Sequence, residues 1–266
     1  MLEEADHPGH SIGGTTRRLV VEGVPVFAKG IRLTDLESSP AFTGSTANMF
    51  DLPMVCHYGI GSPGFGVWRE LDAHTETTEL VLTGAASSFP LMYHWRVLPC
   101  EPTPLTDELS DVGAAVRFWD GSDAVRRRIT ALAAARRLVW VFMEQFDATL
   151  DAWLTDQVRH GPAALSAVCD LIERELRHGF HAMSAAGLLH LDLHFDNILT
   201  DGLRLYFADL GLAMSDKFDL DAAERAFAAE HRDYDRSYAV TQLVITLNEL
   251  PRVCSAKFPT RWLWSA

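Results

Sequence analysis

His190-Leu-Asp-Leu-His-Phe-Asp-Asn197, followed twelve positions later by Asp209-Leu-Gly211, is the stretch from which the rest of this 266-residue chain can be read. Between the two motifs lie short apolar runs, Ile198-Leu199 and Leu205-Tyr206-Phe207-Ala208, that read as a small hairpin. Two acceptor carboxylates and a carboxamide are thereby placed on two loops flanking one hairpin. That set suits a metal-assisted phosphoryl transfer, in which one carboxylate orients an attacking hydroxyl and the other groups hold magnesium.

His190-x-Asp192-Leu-x-x-x-Asn197 with Asp209-x-Gly211 resembles the catalytic and metal loops of the protein-kinase-like superfamily, the H-R-D-L-x-x-x-N and D-F-G pair. The resemblance implies that Asp192 is the catalytic base, that Asn197 and Asp209 hold Mg2+, and that His190 packs the loop. It also implies a two-lobed α+β fold, with an antiparallel N-lobe sheet plus one main helix and a mainly helical, reduced C-lobe. The expected division is residues 1–144 for the ATP-binding lobe and 145–266 for the catalytic one, with the likeness running over roughly residues 9–248.

The upstream elements follow in order. Gly9-His-Ser11-Ile-Gly13-Gly14 reads as a degenerate glycine-rich loop, whose small residues (Gly9, Ser11, Gly14) would let backbone N–H groups approach phosphates. The alternating run 18–29 is two strands with a turn at Gly23, ending in Val26-Phe-Ala-Lys29, which resembles V-A-I-K. Lys29 would then pair with the α- and β-phosphates. Its ion-pair partner belongs on the next helix, predicted over 67–82 with an end at Gly84. Glu70, Glu76 and Glu79 all qualify chemically, and Glu70, on the early turns, is the choice. The strand over 138–143 leads into Glu144-Gln-Phe146, which resembles the interlobe hinge: Met143 as gatekeeper, with the Glu144 carbonyl and the Phe146 N–H at the adenine edge.

Two segments depart from the superfamily. Lys29 and Glu70 are 41 positions apart, so residues 32–66, rich in Gly, Pro and Ser, form an insertion of a length more often functional or self-ordered than idle. Residues 99–137 form another, with a polar acidic loop at 103–111 and a helix whose N-cap is Ser122. On that helix Arg126, Arg127 and Arg128 are expected to make a solvated basic face.

Further along, apolar positions 165, 168, 171, 172, 176, 180 and 183 predict a long helix from Pro162 to Ala186 with Gly187 as its terminator. Asp235, at the start of another helix, anchors the catalytic-loop backbone or serves as an N-cap. About two dozen residues separate Gly211 from Asp235 and contain no A-P-E, which is short for a peptide-docking activation segment. Ser215 is the only serine or threonine there before Ser237, and regulation by phosphorylation of that segment is not expected.

Composition fits this layout. The chain is 48% hydrophobic, enough for a sizeable core, and no apolar run reaches membrane-spanning length or forms a secretory signal at the start, so a cytoplasmic protein without membrane contact is expected. Cys56, Cys100, Cys169 and Cys254 lack C-x-x-C spacing and read as reduced and structural. His190 and His194 are four apart, but Leu191 replaces the glutamate of a zinc hydrolase's H-E-x-x-H. The formal charge of −13 argues against nucleic acid as partner and suits a cationic substrate or basic peptide as well as simple solubility. The expected activity is an ATP- and Mg2+-dependent phosphotransfer to a hydroxyl. A protein Ser/Thr comes first as acceptor, because Ala208-Asp-Leu-Gly-Leu-Ala213 is similar to a protein kinase's metal loop. A small cationic metabolite or antibiotic comes second, because His194 stands where aminoglycoside-kinase-like enzymes often carry histidine. A pseudokinase binding module is the non-enzymatic alternative.

Overall fold

A computed structural model of the chain describes residues 2–11, 14–59 and 61–249. Ile12 and Gly13 of the glycine-rich segment, Ile60, and Cys254 lie outside the described residues. The fold is α+β, with an antiparallel sheet on the N-terminal side and most helices after it.

The sheet contains β1 (Leu2–Ser11), β2 (Gly14–Val21), β3 (Val24–Leu33), β4 (Met92–Pro99) and β5 (Arg137–Glu144), in the order β1-β2-β3-β5-β4. Between β2 and β3 the chain reverses at Glu22 and Gly23, with φ of 52° and 83°. Two consecutive left-handed residues make the tight turn whose twist matches paired strands, and glycine takes the second place without steric cost. Central in the sheet, β3 pairs Lys29 with Thr16 on one side and Val141 on the other.

Helix α1 (Val67–Leu82) packs on this sheet, and Val67, Trp68 and Leu71 join Ile31, Leu33, Val139, Val141 and Met143 in one apolar cluster. Its first N–H group is capped from a distance, because Glu37 Oε1 accepts from Val67 N at 3.0 Å. It ends as the sequence predicts, at Thr83 and Gly84, the latter at φ 74°.

A second cluster is built on α6 (Pro162–Ala186), whose Ile172, Leu176 and Met183 face the apolar residues around the two motifs. Gly187, left-handed at φ 68°, terminates that helix and turns the chain into the first motif. The motif region contributes β7 (Leu188–Leu189), β8 (Ile198–Thr200), β9 (Leu205–Phe207) and β10 (Met214–Ser215), while β6 (Ala148–Thr149) pairs with β8. Leu193, Ile198, Leu205 and Phe207 are wholly buried. Each such side chain contributes roughly 1.5–3 kcal/mol of burial, so the hairpin is a rigid platform. Around it stand α5 (Leu150–Val158), α7 (Ala222–Glu230) and α8 (Tyr234–Glu249).

The two long segments, residues 32–66 and 99–137, are not separate loops. Strand β3 keeps Arg32 and Leu33, so the first inserted segment begins at residue 34. The second contains α2 (Asp107–Ser110), α3 (Val112–Phe118) and α4 (Asp123–Ala134), with Ser122 Oγ accepting from Val125 N as its N-cap. Phe50, Leu52, Cys56 and Phe65 of the first segment join Leu109, Val116, Trp119, Val125 and Ile129 of the second in a third cluster. Two buried arginines fasten this module. Arg128 pairs with Glu37 at 3.0 Å and donates to Gly64 O, and Arg32 donates to Thr103 and to the Pro104 and Leu132 carbonyls. The solvated basic face expected of Arg126, Arg127 and Arg128 therefore holds for the first two only. Arg128 is turned inward because Glu37, buried on the facing segment, needs a cation.

Candidate active site

Lys29 is 6% exposed in the middle of the sheet, a costly place for an ammonium group without partners. Glu70 Oε1 and Asp209 Oδ1 each lie 2.7 Å from its Nζ. Burial by itself would lower the lysine pKa, but the Asp209 and Glu70 charges outweigh it, so the amine is held protonated. Burial pushes the Glu70 carboxyl upward against the pull of Lys29. At Asp209 the outcome is opposite: burial is overcome by the Lys29 ammonium and the hydrogen bonds around it, and the carboxyl titrates at about 2. Asp209 is thus the firm anion of the trio, and its side chain is 38% exposed where those of Lys29 and Glu70 are at 8% and 7%.

The Asp209 backbone is left-handed at φ 57°, ψ 71°, with Gly211 N donating to its Oδ1 at 3.4 Å. A Cβ at Gly211 would stand 3.2 Å from both Asp209 Oδ1 and Glu70 Oε2, closer than an ordinary contact. Asp192 and Asn197 are joined across their own loop: Asn197 Nδ2 donates to Asp192 O at 2.8 Å and to Asp192 Oδ2 at 3.2 Å. This orientation leaves the Asn197 carboxamide oxygen as a donor atom for a cation. The two motif loops are tied to each other by His190 Nε2 with Ala208 O at 2.8 Å and by Ala208 N donating to Asn197 O at 2.9 Å. His190 is fully buried, in the packing role implied for it.

Asp235 is an anchor of the loop. Its two carboxylate oxygens each accept a 2.7 Å hydrogen bond, from His190 N and Leu191 N. Those two adjacent N–H groups point the same way because Leu191 is left-handed at φ 65°, a strained conformation for a branched side chain.

No family model matches this chain, and no curated protein matches it. The argument for a site therefore rests on what the fold brings together.

Helix α1 is welded to the segment beyond the second motif. Arg69 Nη2 meets Glu224 Oε1 of α7 at 2.6 Å, and both side chains are 1% exposed. Glu76, one of the candidate partners for Lys29, instead accepts from Ser215 Oγ at 2.8 Å and pairs with Lys217 at 2.9 Å. Ser215 is fully buried. The inserted module adds His57, whose Nδ1 lies 3.1 Å from Leu212 O, and Gly59, where a Cβ would stand 2.8 Å from Asp192 Oδ1. Nothing in the motif logic pointed to Arg69, Glu224 or Gly59; the only signal was the glycine-rich run 59–66 in an unusually long connection.

The phosphate-side residues are placed in part. Gly9 pairs with Thr16 and Ser11 with Gly14, so the three lie at the end of the β1–β2 hairpin, Gly9 and Ser11 on the edge strand β1 and Gly14 on β2, next to β3. Gly14 has a packing reason of its own, since a Cβ there would collide with the carbonyl oxygen of Gly30. Glu144 ends β5, with its N–H donating to Leu91 O at 2.8 Å. The half-buried Phe146 ring lies 4.2 Å from that of Tyr206.

Among the described residues no group of three or more His, Cys, Asp or Glu side chains converges as a metal cage. That is compatible with magnesium, which takes one or two protein ligands and completes its shell with phosphate oxygens and water. A cavity of about 970 Å³ lies elsewhere, lined by residues of α6, α7 and α8 such as Arg177, Phe180, Arg225 and Leu243. It contains none of Lys29, Glu70, Asp192 and Asp209, and the convergence of those charges is the better guide to chemistry. Among the described residues no helix is long and apolar enough to cross a membrane.

Proposed function

We propose that this protein is a two-lobed, kinase-like phosphotransferase that moves the γ-phosphoryl of ATP to a hydroxyl. The sheet side, residues 1–144, would bind the nucleotide and residues 145–266 would carry the reacting groups. The observation that carries the reading is the buried lysine held at 2.7 Å by two carboxylates from distant elements, one of them on the loop tied to Asp192 and Asn197. A structural ion pair needs one partner; a second carboxylate left partly exposed suits a cation and phosphates.

In this reading Lys29, oriented by Glu70, meets the α- and β-phosphates, and Gly9, Ser11 and Gly14 line the phosphate side. The Glu144 carbonyl and Phe146 N–H meet the adenine. Asp209 and the Asn197 carboxamide oxygen would hold Mg2+, which supplies charge neutralisation on the phosphates. Asp192 accepts the acceptor's proton as the new oxygen–phosphorus bond forms and the bond from the γ-phosphorus to the β–γ bridging oxygen breaks, releasing ADP. Catalysis then comes from positioning and electrostatics rather than from a covalent intermediate.

The sequence put a protein hydroxyl first as acceptor. The contact between Gly59 and Asp192 supports the small-molecule alternative, because an inserted loop lies against the carboxylate that a polypeptide hydroxyl would have to reach. The test is label transfer from γ-labelled ATP with Mg2+ to a panel of alcohols and to protein. Asp192→Ala and Asp209→Ala are expected to abolish transfer with the fold retained; wild-type rates in both variants would overturn the reading, and ATP binding without transfer would favour the pseudokinase.

A further inference from the structure

The apolar stripe that predicts α6 is not wholly covered in the fold. Leu176, Phe180 and Met183 belong to it, and all three line the cavity of about 970 Å³ between α6, α7 and α8. The Phe180 ring is stacked on Phe207 with centroids 6.2 Å apart, yet the residue stays half-buried. Leu189 of β7 and Val240 of α8, also half-buried, extend this apolar wall. Open apolar surface of this kind gains free energy when an apolar occupant takes it out of water.

The same cavity gathers cations. Arg225 of α7, Arg232 in the turn after it and Arg236 of α8 all line it and are exposed. Acids outnumber bases 36 to 23 in this chain, so three arginines from adjoining elements at one cavity run against its composition. Four carboxylates line it too, but two are committed. Asp235 is buried with both oxygens on backbone N–H groups, and Glu173 pairs with Arg177 at 2.6 Å. Asp216 and Asp233 are left to face the three arginines.

We propose that this cavity binds a small organic anion, with its apolar body on the wall of Phe180, Leu189 and Val240 and its carboxylate, sulfonate or phosphate among Arg225, Arg232 and Arg236. Guanidinium groups meet such oxyanions through charge-assisted hydrogen bonds. The volume is at the upper end of the range for small-ligand sites, and the walls come from three helices and the β7–β10 pair rather than from one open face. Both features favour a small molecule over a partner helix laid along a groove. Nothing in this site depends on the phosphotransferase reading. Its position is nonetheless close to the proposed chemistry, because Asp235, one of the lining residues, holds the backbone of His190 and Leu191, so a ligand here lies behind the Asp192 loop.

The test uses the full chain and two fluorescent probes with one aromatic body, 8-anilinonaphthalene-1-sulfonate and N-phenyl-1-naphthylamine, which lacks the sulfonate. The anion is expected to bind about tenfold or more tightly than the neutral probe, the scale of one charge-assisted hydrogen bond, and Arg232→Gln to remove most of that preference. Arg225 also donates to the Leu220 carbonyl, so Arg225→Gln is added to Arg232→Gln only as a second variant. Ala229→Trp, at an exposed lining position of α7, is expected to weaken both probes by filling the space. The thermal midpoint checks that every variant is folded, since these dyes also bind partly unfolded chains. Amide hydrogen exchange locates the site, with protection by the sulfonate expected in 214–216 and 225–243. Equal affinity for the two probes, sulfonate binding unchanged in the arginine and tryptophan variants, or protection confined to other segments overturns the site. Binding of an acidic amphipathic peptide without binding of the dye assigns this surface to a protein partner and overturns it as well.

Discussion

Glu224→Gln is expected to be among the most damaging single substitutions outside the motifs. The Arg69 and Glu224 side chains are each 1% exposed, so bulk solvent barely screens the 2.6 Å contact between them. Arg69 also donates to Thr46 O and lies 5.4 Å from the Phe65 ring, but neither partner carries a charge. Removing the carboxylate leaves a buried guanidinium without its contact anion, with only the charges of Asp221 and Asp219 near it, which costs about 3–5 kcal/mol where a buried pair is broken. The glutamine can still accept from Asp221 N, so the cap of α7 is retained and the loss reports on the ion pair. Against a total stability of roughly 5–15 kcal/mol this is a large share, and for a chain of this length it lowers the thermal midpoint by about 6–20 °C. The assay is urea unfolding, in which the midpoint should fall while the slope stays constant. The double variant Arg69→Met with Glu224→Met is expected to lose less than Glu224→Gln alone, because no charge is then stranded. A loss below about 1 kcal/mol in Glu224→Gln, or a double variant as damaged as the sum of the two single ones, would refute the reasoning.

Burial holds the rings of His57 and His74 neutral, helped by Arg69 and by Lys29 respectively, and both titrate only at about 3. The unfolded chain takes up these protons near pH 6.5 and the folded chain does not, so stability falls as pH drops from 6.5 toward 3. The slope is about 1.4 kcal/mol per pH unit for each histidine. His74→Gln should remove its share, and a urea midpoint that does not change between pH 7 and 5 in the wild type would contradict it. Gly59→Ala places a Cβ 2.8 Å from Asp192 Oδ1 at φ 79°, and is expected to cost about 1–2 kcal/mol in stability and to slow turnover; unchanged rate and midpoint would show that the loop yields freely. Gly179→Ala puts a methyl group into the Phe207 ring under the motif hairpin, for a loss of about 1–3 kcal/mol in urea unfolding, and a neutral result would mean the hairpin can shift off α6.

Local sequence was enough to read the sheet turn at Gly23, the limits of α1 and α6, and the motif hairpin, because each depends on periodicity, capping or a left-handed glycine within a few residues. It also singled out Lys29, Glu70, Asp192, Asn197 and Asp209, whose chemistry is unusual at such spacings. The choice of Glu70 over Glu76 and Glu79 matched the observed Lys29 partner, but only the packing of α1 against β3 decides which face of the helix meets the lysine. Whether Asp235 caps a helix or anchors a loop was open in the sequence, since an aspartate at a helix start suits either role; the loop 44 residues earlier decides it. Nothing local links residue 37 to residue 128, so the packing of the two long segments against each other was not legible in the sequence. Their joint core, the inward turn of Arg128 and the approach of Gly59 to Asp192 follow from burying apolar surface and pairing buried charge, which are properties of the assembled chain. Spacing and residue type determined the candidate reacting groups, and tertiary packing decided what stands over them.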